Sequence, residues 1–295
     1  MNFRLVLFIF FISLSQMISG QETAPNYLLY RLNMNMLNPA YAGVSENTEI
    51  AVGFRKQSLG LEDDPSAQYA SFSRAFSHNL GLGMSIVNQK VFVSKQTDVV
   101  IDASYKLQLD RDINLYFGLK AGGGFYAIDY NSLGVNDPLF SSNVSTFSPL
   151  IGVGFYLKAE RYFLHLSSPN IVLSEIQKPK LNSGGVVISD SVDEKFQMYM
   201  GGGYRFSLTK TIDLTPSIFS RVVANDDLLF DVSAVADFSN MIEAGLTYRV
   251  DTSLIFSILL KVIDNTHFGY AYESTTSEYS SVSAGAHEFV LKFQW

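Results

Sequence analysis

The sequence predicts an all-β fold, a transmembrane antiparallel up-and-down β-barrel of about 14 strands. Three observations carry it. Apolar residues make up 47% of the chain, with 23 Phe and 16 Tyr, yet beyond the first residues no apolar run approaches the ~20 residues of a spanning helix. Apolar and polar residues instead alternate at period two from about Thr48 to the end, which gives strands one greasy and one wet face. The joins between strands also sort by parity, tight at every second join and mostly longer at the others, as in outer-membrane barrels.

The chain opens MNFRLVLFIFFISLSQMISGQ, with Arg4 ahead of an apolar stretch from Leu5 to Ile12 and then small and polar residues. Residues 1–20 therefore read as a secretory signal peptide cut after Gly20; the stretch is too short for a membrane anchor. Without Arg4, 20 basic residues stand against 28 acidic ones, a net charge of −8, and with no Lys/Arg block this argues against nucleic-acid binding. The chain has no Cys, which excludes disulfides, thiolate metal sites and lipid attachment at a cysteine. Residues 21–47 precede the first strand. NMNMLNPAYAGVSEN (33–47) is amphipathic at neither period, and Asn38–Pro39 marks a turn. It is expected as a periplasmic leader or as a plug tucked into the lumen.

Residues 48–295 form the barrel, with strands expected near 48–58, 66–76, 79–90, 97–108, 112–126, 146–158, 161–167, 195–208, 211–222, 228–237, 241–250, 253–263, 266–275 and 286–295. In MIEAGLTYRV, Ile242, Ala244, Leu246, Tyr248 and Val250 share a face opposite Glu243, Gly245, Thr247 and Arg249. Ile113, Leu115, Phe117 and Leu119 do the same, as do Phe268, Tyr270 and Tyr272. Leu254, Phe256, Ile258, Leu260 and Val262 follow suit, though Ile255 and Leu259 weaken the pattern. Tyr and Phe at strand ends suit interfacial girdles. Tight joins lie near His78, Asp110, Lys158, Lys210, Ser239 and Asn265; the longer ones include 59–65, 127–145, 168–194 and 276–285. An even strand count places both termini on the periplasmic side. Pro149 and Pro216 fall inside strands and cost ladder donors.

Little in the chain points to chemistry, and the expectation is a non-enzyme without cofactor or metal. His165 lies beside Ser167 and Ser168 in YFLHLSS, a pair that would suit a nucleophile and base, but no orienting group can be placed. His78 sits in a turn, and His287 with Glu288 suits a rim. No H-E-x-x-H or similar ligand spacing occurs. Glu62, Asp63 and Asp64 read as a hydrated loop rather than a divalent-ion site. AGGGFY (121–126), GVGFY (152–156) and MGGGYRF (200–206) run into strand and not into a helix N-terminus, so they are no phosphate cradle. They are expected to permit tight curvature or close packing against a plug. The 168–194 loop reads either as a surface-binding lid or as a mobile loop.

The chain ends HEFVLKFQW. Phe289, Leu291, Phe293 and Trp295 alternate with polar residues, only Val290 breaking the register, and this resembles the C-terminal insertion signal of bacterial outer-membrane barrels. Trp295→Ala is expected to slow insertion and leave the protein degraded in the periplasm, and Glu288→Ala to be milder.

LNPAYAG (37–43), FRKQ (54–57) and FGYAYESTT…SAGAHEFVLKF (268–293), taken in order, resemble the PorP/SprF barrels of the type IX secretion system in Bacteroidota. Members open the mature chain with N-P-A-x-A-G, continue with R-x-Q-W and close on Y-x-Y…G-x-H-E. Ser58 stands where the family usually carries Trp, which puts any stacking role of that Trp in doubt. The resemblance implies a non-enzymatic outer-membrane component of export and gliding. It would engage the C-terminal sorting domain of large exported adhesins, retain them at the surface and contact periplasmic machinery. It also points to Asn38, Pro39, Tyr41, Gly43, Arg55 and Gln57 as residues shaping the periplasmic or lumenal side, for partner binding or for structure. The competing reading is a diffusive porin or transporter for small or hydrophobic solutes.

Overall fold

The computed structural model describes residues 26–58, 64–130, 143–172, 175–182, 185–193, 196–224, 228–276 and 285–295. The expected signal peptide, Glu62 and Asp63 lie outside them. The alternating pattern becomes β1 (Glu49–Ser58), β2 (Ser66–Ala75), β3 (Leu80–Val91), β4 (Ser94–Asp110), β5 (Ile113–Ile128), β6 (Val144–Ala159) and β7 (Tyr162–Ser168). It continues through β8 (Gln197–Tyr204), β9 (Ile212–Val223), β10 (Leu229–Phe238), β11 (Ile242–Arg249), β12 (Ser253–Ile263), β13 (Thr266–Thr275) and β14 (Gly285–Gln294). Phe206–Ser207 prolong β8 along β9. Each strand pairs antiparallel with its sequence neighbours, and β1 pairs with β14 from Glu49↔Gln294 to Ser58↔Gly285. The result is the expected closed barrel of 14 strands, with no edge left to desolvate in lipid.

The β2–β3, β4–β5, β6–β7, β8–β9, β10–β11 and β12–β13 joins are short and share one rim. There Thr48 and Trp295 also exchange backbone hydrogen bonds of 2.8 and 3.0 Å. In the β10–β11 turn, Ser239 and Asn240 both take left-handed φ, 57° and 56°, the geometry that matches the twist of a two-residue hairpin. The opposite rim carries most of the longer joins, although Val250–Thr252 alone connect β11 and β12 there. One departs from expectation, because β4 begins at Ser94 rather than 97 and only Phe92 and Val93 turn the chain. Phe92 is held at φ 52°, a conformation bulky residues rarely adopt, and VFVSK lacks the Gly, Asn or Asp that would have announced it. Within the 168–194 join, Glu175–Asn182 pairs with Gly185–Asp193 as a separate hairpin. Pro149 and Pro216 do lie inside β6 and β9, opposite Gly123 and Ala234.

Which face is which follows from exposure. Leu119, Ile101 and Phe256 are 65, 60 and 53% exposed, and each alternates with a buried or lumen-facing neighbour. Large apolar side chains bare on the outside of a closed wall belong against hydrocarbon. Many of the buried inward positions are small or polar, among them Ser71, Ser73, Ser85, Ser104, Ser148 and Ser167. The core of the molecule is therefore in the lumen, and the chain's own N-terminal segment fills it.

Candidate functional site

Residues 26–47 fold into the lumen and leave it at the short-turn rim, where Thr48 pairs with Trp295 ahead of β1. Tyr27, Leu28, Leu29, Met34, Met36 and Leu37 are buried there against inward-facing Ala51, Tyr69, Val87, Tyr199, Phe219, Ile255, Ala271 and Val290. Burial of each large apolar side chain contributes about 1.5–3 kcal/mol, so the leader is tied down by packing before any polar contact is counted. Two of the three breaks in strict alternation, Ile255 and Val290, are explained by this contact: they are lumenal and face the leader.

NPAYAG has a physical reason at every position. Asn38 accepts the Ala40 N–H on Oδ1 at 2.9 Å and donates Nδ2 to the Phe155 carbonyl at 2.9 Å, capping the 3₁₀ turn Pro39–Tyr41 and tying it to β6. Pro39 fits the first turn position, where no N–H is needed. Ala40 is wholly buried over Gly118, where an added Cβ would stand 2.0 Å from the Ala40 nitrogen. Tyr41 meets the edge of Tyr156 at a centroid distance of 5.1 Å. Ala42 is wholly buried, its carbonyl accepting from Ser104 Oγ, and it packs on Gly81 and Gly83. Gly43 has φ +71°, its N–H donates to Ser73 Oγ at 2.8 Å, and any Cβ would meet the Gly81 Cα at 2.7 Å. Only glycine fits there.

Other wall groups reach the leader's backbone. Lys120 Nζ donates to the Asn35 carbonyl at 3.2 Å while paired with Asp102 at 2.8 Å, both side chains buried. Lys158 Nζ donates to the Val44 carbonyl at 3.2 Å, and Ser167 Oγ to the Leu37 carbonyl at 2.9 Å. Ser167 is thus engaged by the leader and makes no catalytic pair with His165, whose ring lies near Phe219. Of the glycine echoes, Gly154 packs on Asn38. Gly122, Gly123 and Gly124 instead accommodate Val99–Val100, Phe147 and Asp98 of neighbouring strands, so the expected packing against a plug does not extend to that triplet.

Arg55 and Gln57 are not part of this contact. Arg55 faces the lumen and meets Glu273 at 3.3 Å. Glu273 in turn takes Arg249 Nη1 at 2.8 Å and Ser253 Oγ at 2.7 Å, and Arg249 grips Asp231 with two bonds of 2.9 and 3.0 Å. This buried network braces β1 and β10–β13 toward the long-loop end. Gln57 is half-buried near that end, its N–H bonded to the Pro65 carbonyl at 2.9 Å. None of Asp102, Lys120, Asp231, Arg249, Glu273 stood out in the sequence; an isolated charge at an inward parity position is the signal that would have found them.

At the C-terminus, Phe289 and Leu291 point outward, Phe293 is half-buried, and Trp295 is exposed at the rim. Glu288 corrects an expectation. It is wholly buried, with Oε2 accepting the Leu28 N–H at 2.6 Å and Oε1 the Tyr69 hydroxyl at 2.6 Å. Glu288→Ala leaves two buried donors unpaired, at about 1–3 kcal/mol each. It is therefore expected to lower the thermal midpoint of the heat-modifiable barrel clearly, and Glu288→Gln to do so less. Equal midpoints for Glu288→Ala and the parent protein contradict this placement.

Solved structures share the fold. The Ralstonia pickettii toluene transporter TbuX matches with a TM-score of 0.52 and 11% identity, over 88% of this chain and 92% of its own. The CymD monoaromatic hydrocarbon channel gives a TM-score of 0.54 and 11% identity, over 93% and 94%. A Pseudomonas aeruginosa FadL homologue gives 0.51 and 12%, over 94% and 96%. At such identities the likeness is one of fold alone. No curated protein sequence matches the chain. The profile of the type IX secretion system membrane protein PorP/SprF family matches residues 19–293, nearly the whole length, and the chain belongs to that family.

Proposed function

We propose that this barrel is a non-enzymatic outer-membrane component of the type IX secretion and gliding machinery. It docks the C-terminal sorting domain of an exported surface protein, such as an adhesin, and retains it at the cell surface. The observation that carries the reading is the filled lumen. A passage for solutes has no use for a leader buried along its length and bonded to β2, β4, β5, β6, β7 and β14. A stiff platform for a partner does, because binding surfaces are held best by rigid scaffolds. Asn38, Pro39, Tyr41 and Gly43 serve here by fixing the leader, and Arg55 by bracing the wall through Glu273.

The test compares cells that carry and lack the chain. An exported protein with a type IX sorting domain is expected to co-purify with the tagged barrel and to vanish from the surface without it. Absence of such cargo, with surface display unchanged, sinks the docking reading. Steady conductance or liposome swelling by the purified parent protein favours the diffusive porin or transporter instead.

A further inference from the structure

The strand register gathers basic side chains on one patch of the outer wall. His287 of β14 pairs with Lys56 of β1, Lys56 with Ser66 of β2, Ser66 with Lys90 of β3, and Lys90 with Lys95 of β4. Their direction follows from alternation. Arg55 and Glu288 are buried in the lumen, so Lys56 and His287 point outward; the Lys56 side chain is 52% exposed and pairs loosely with Asp64 at 4.0 Å. Lys95 is exposed as well. Strands lie about 4.8 Å apart, so Lys56 and Lys95 stand about 14 Å apart across the wall. The Tyr270 hydroxyl meets His287 Nδ1 at 2.9 Å and orients the ring.

Directly beneath this row, toward the short-turn rim, the wall has an open groove of about 680 Å³. Val52, Phe54, Ile86, Phe268, Phe289 and Leu291 line it, with the amide side chains of Gln68 and Asn88 also on it, each two residues from the row. Cations at the headgroup level above an apolar groove complement an amphiphile with an anionic head and several acyl chains. The row lies at the long-loop end, which faces the outer leaflet in outer-membrane barrels. Its width exceeds what a single phosphodiester needs and suits a head with phosphates at both ends of a disaccharide, whose hydroxyls and amides the Gln68 and Asn88 side chains can meet.

We propose that this face binds a phosphorylated glycolipid of the lipid A class, with its phosphates at Lys56, Lys90 and Lys95 and its acyl chains in the groove. The full-length protein, purified in detergent and stripped of lipid, is titrated with lipid A and separately with phosphatidylglycerol, and bound lipid is counted by native mass spectrometry. Lipid A is expected to bind at least tenfold more tightly than phosphatidylglycerol. The double variant Lys56→Gln/Lys95→Gln is expected to lose at least tenfold in lipid A affinity while keeping heat-modifiable migration. Arg74→Gln, an exposed basic position on the same wall near the short-turn rim, is expected to match the parent. Equal lipid A binding by the double variant overturns the proposal. So does equal affinity for the two lipids, or a photoreactive group at position 54 that captures a protein and no lipid A in cells.

Discussion

Gly118→Leu is expected to evict the lower part of the leader while leaving the barrel wall closed. At this position a Cβ would lie 2.0 Å from the Ala40 nitrogen and 2.3 Å from the Pro39 carbonyl carbon, and both are backbone atoms that cannot swing aside. Overpacking of a tight contact costs about 1–3 kcal/mol even where side chains can yield. Loss of the hydrogen bonds centred on Asn38 and Gly43 adds roughly 0.5–1.5 kcal/mol each. Every 1.4 kcal/mol is tenfold in population, so the seated fraction falls by one to several orders of magnitude. The wall survives because the outward face of β5 is untouched. Limited proteolysis from the periplasmic side is expected to cut near residues 38–47 in the variant and not in the parent, with both migrating as folded barrels. Resistance equal to that of the parent contradicts the packing of Ala40 on Gly118.

Arg249→Met is expected to be the most destabilising single change in the wall. Asp231 is wholly buried and receives two bonds from the guanidinium, and Glu273 receives a third. Removing one partner of a buried pair strands a charge in low dielectric, at about 3–5 kcal/mol. Arg55 and Ser253 remain beside Glu273, so the orphan is chiefly Asp231. The unfolding midpoint in urea is therefore expected to drop sharply in Arg249→Met, and Asp231→Asn in the same chain is expected to recover much of the loss. Additive losses in the double variant would mean the two residues do not act as a pair.

The wall was legible because its rule is simple. Alternation at period two and a tight turn at every second join placed most strand ends within two residues, and β12 and β13 without error. The β3–β4 turn escaped because strained Phe92 does the work usually left to glycine or asparagine. The leader's location was open for a different reason. Its helical turns are three or four residues long, too short to show any period, and its contacts are non-local. The hint lay in the wall, where Ile255 and Val290 are apolar at inward positions, a waste in a wet lumen and a fit for a filled one. The family motif singled out Asn38, Pro39, Tyr41 and Gly43 but could not say what they touch. Arg55 and Gln57, adjacent in motif order, turned out to sit apart from them, because β1 carries them toward the opposite end of the barrel.

Because the chain has no Cys, a single engineered pair reports the leader's position without background. The Cβ of Ala42 lies 3.2 Å from a Cβ built at Gly83, close to the ~3.8 Å typical of a disulfide. In Ala42→Cys/Gly83→Cys, oxidation of the folded, membrane-inserted protein is expected to give near-complete crosslinking, with neither thiol open to a bulky maleimide. A folded barrel that stays uncrosslinked, with the thiol at position 42 freely labelled from the periplasm, would contradict the filled lumen on which the docking role rests.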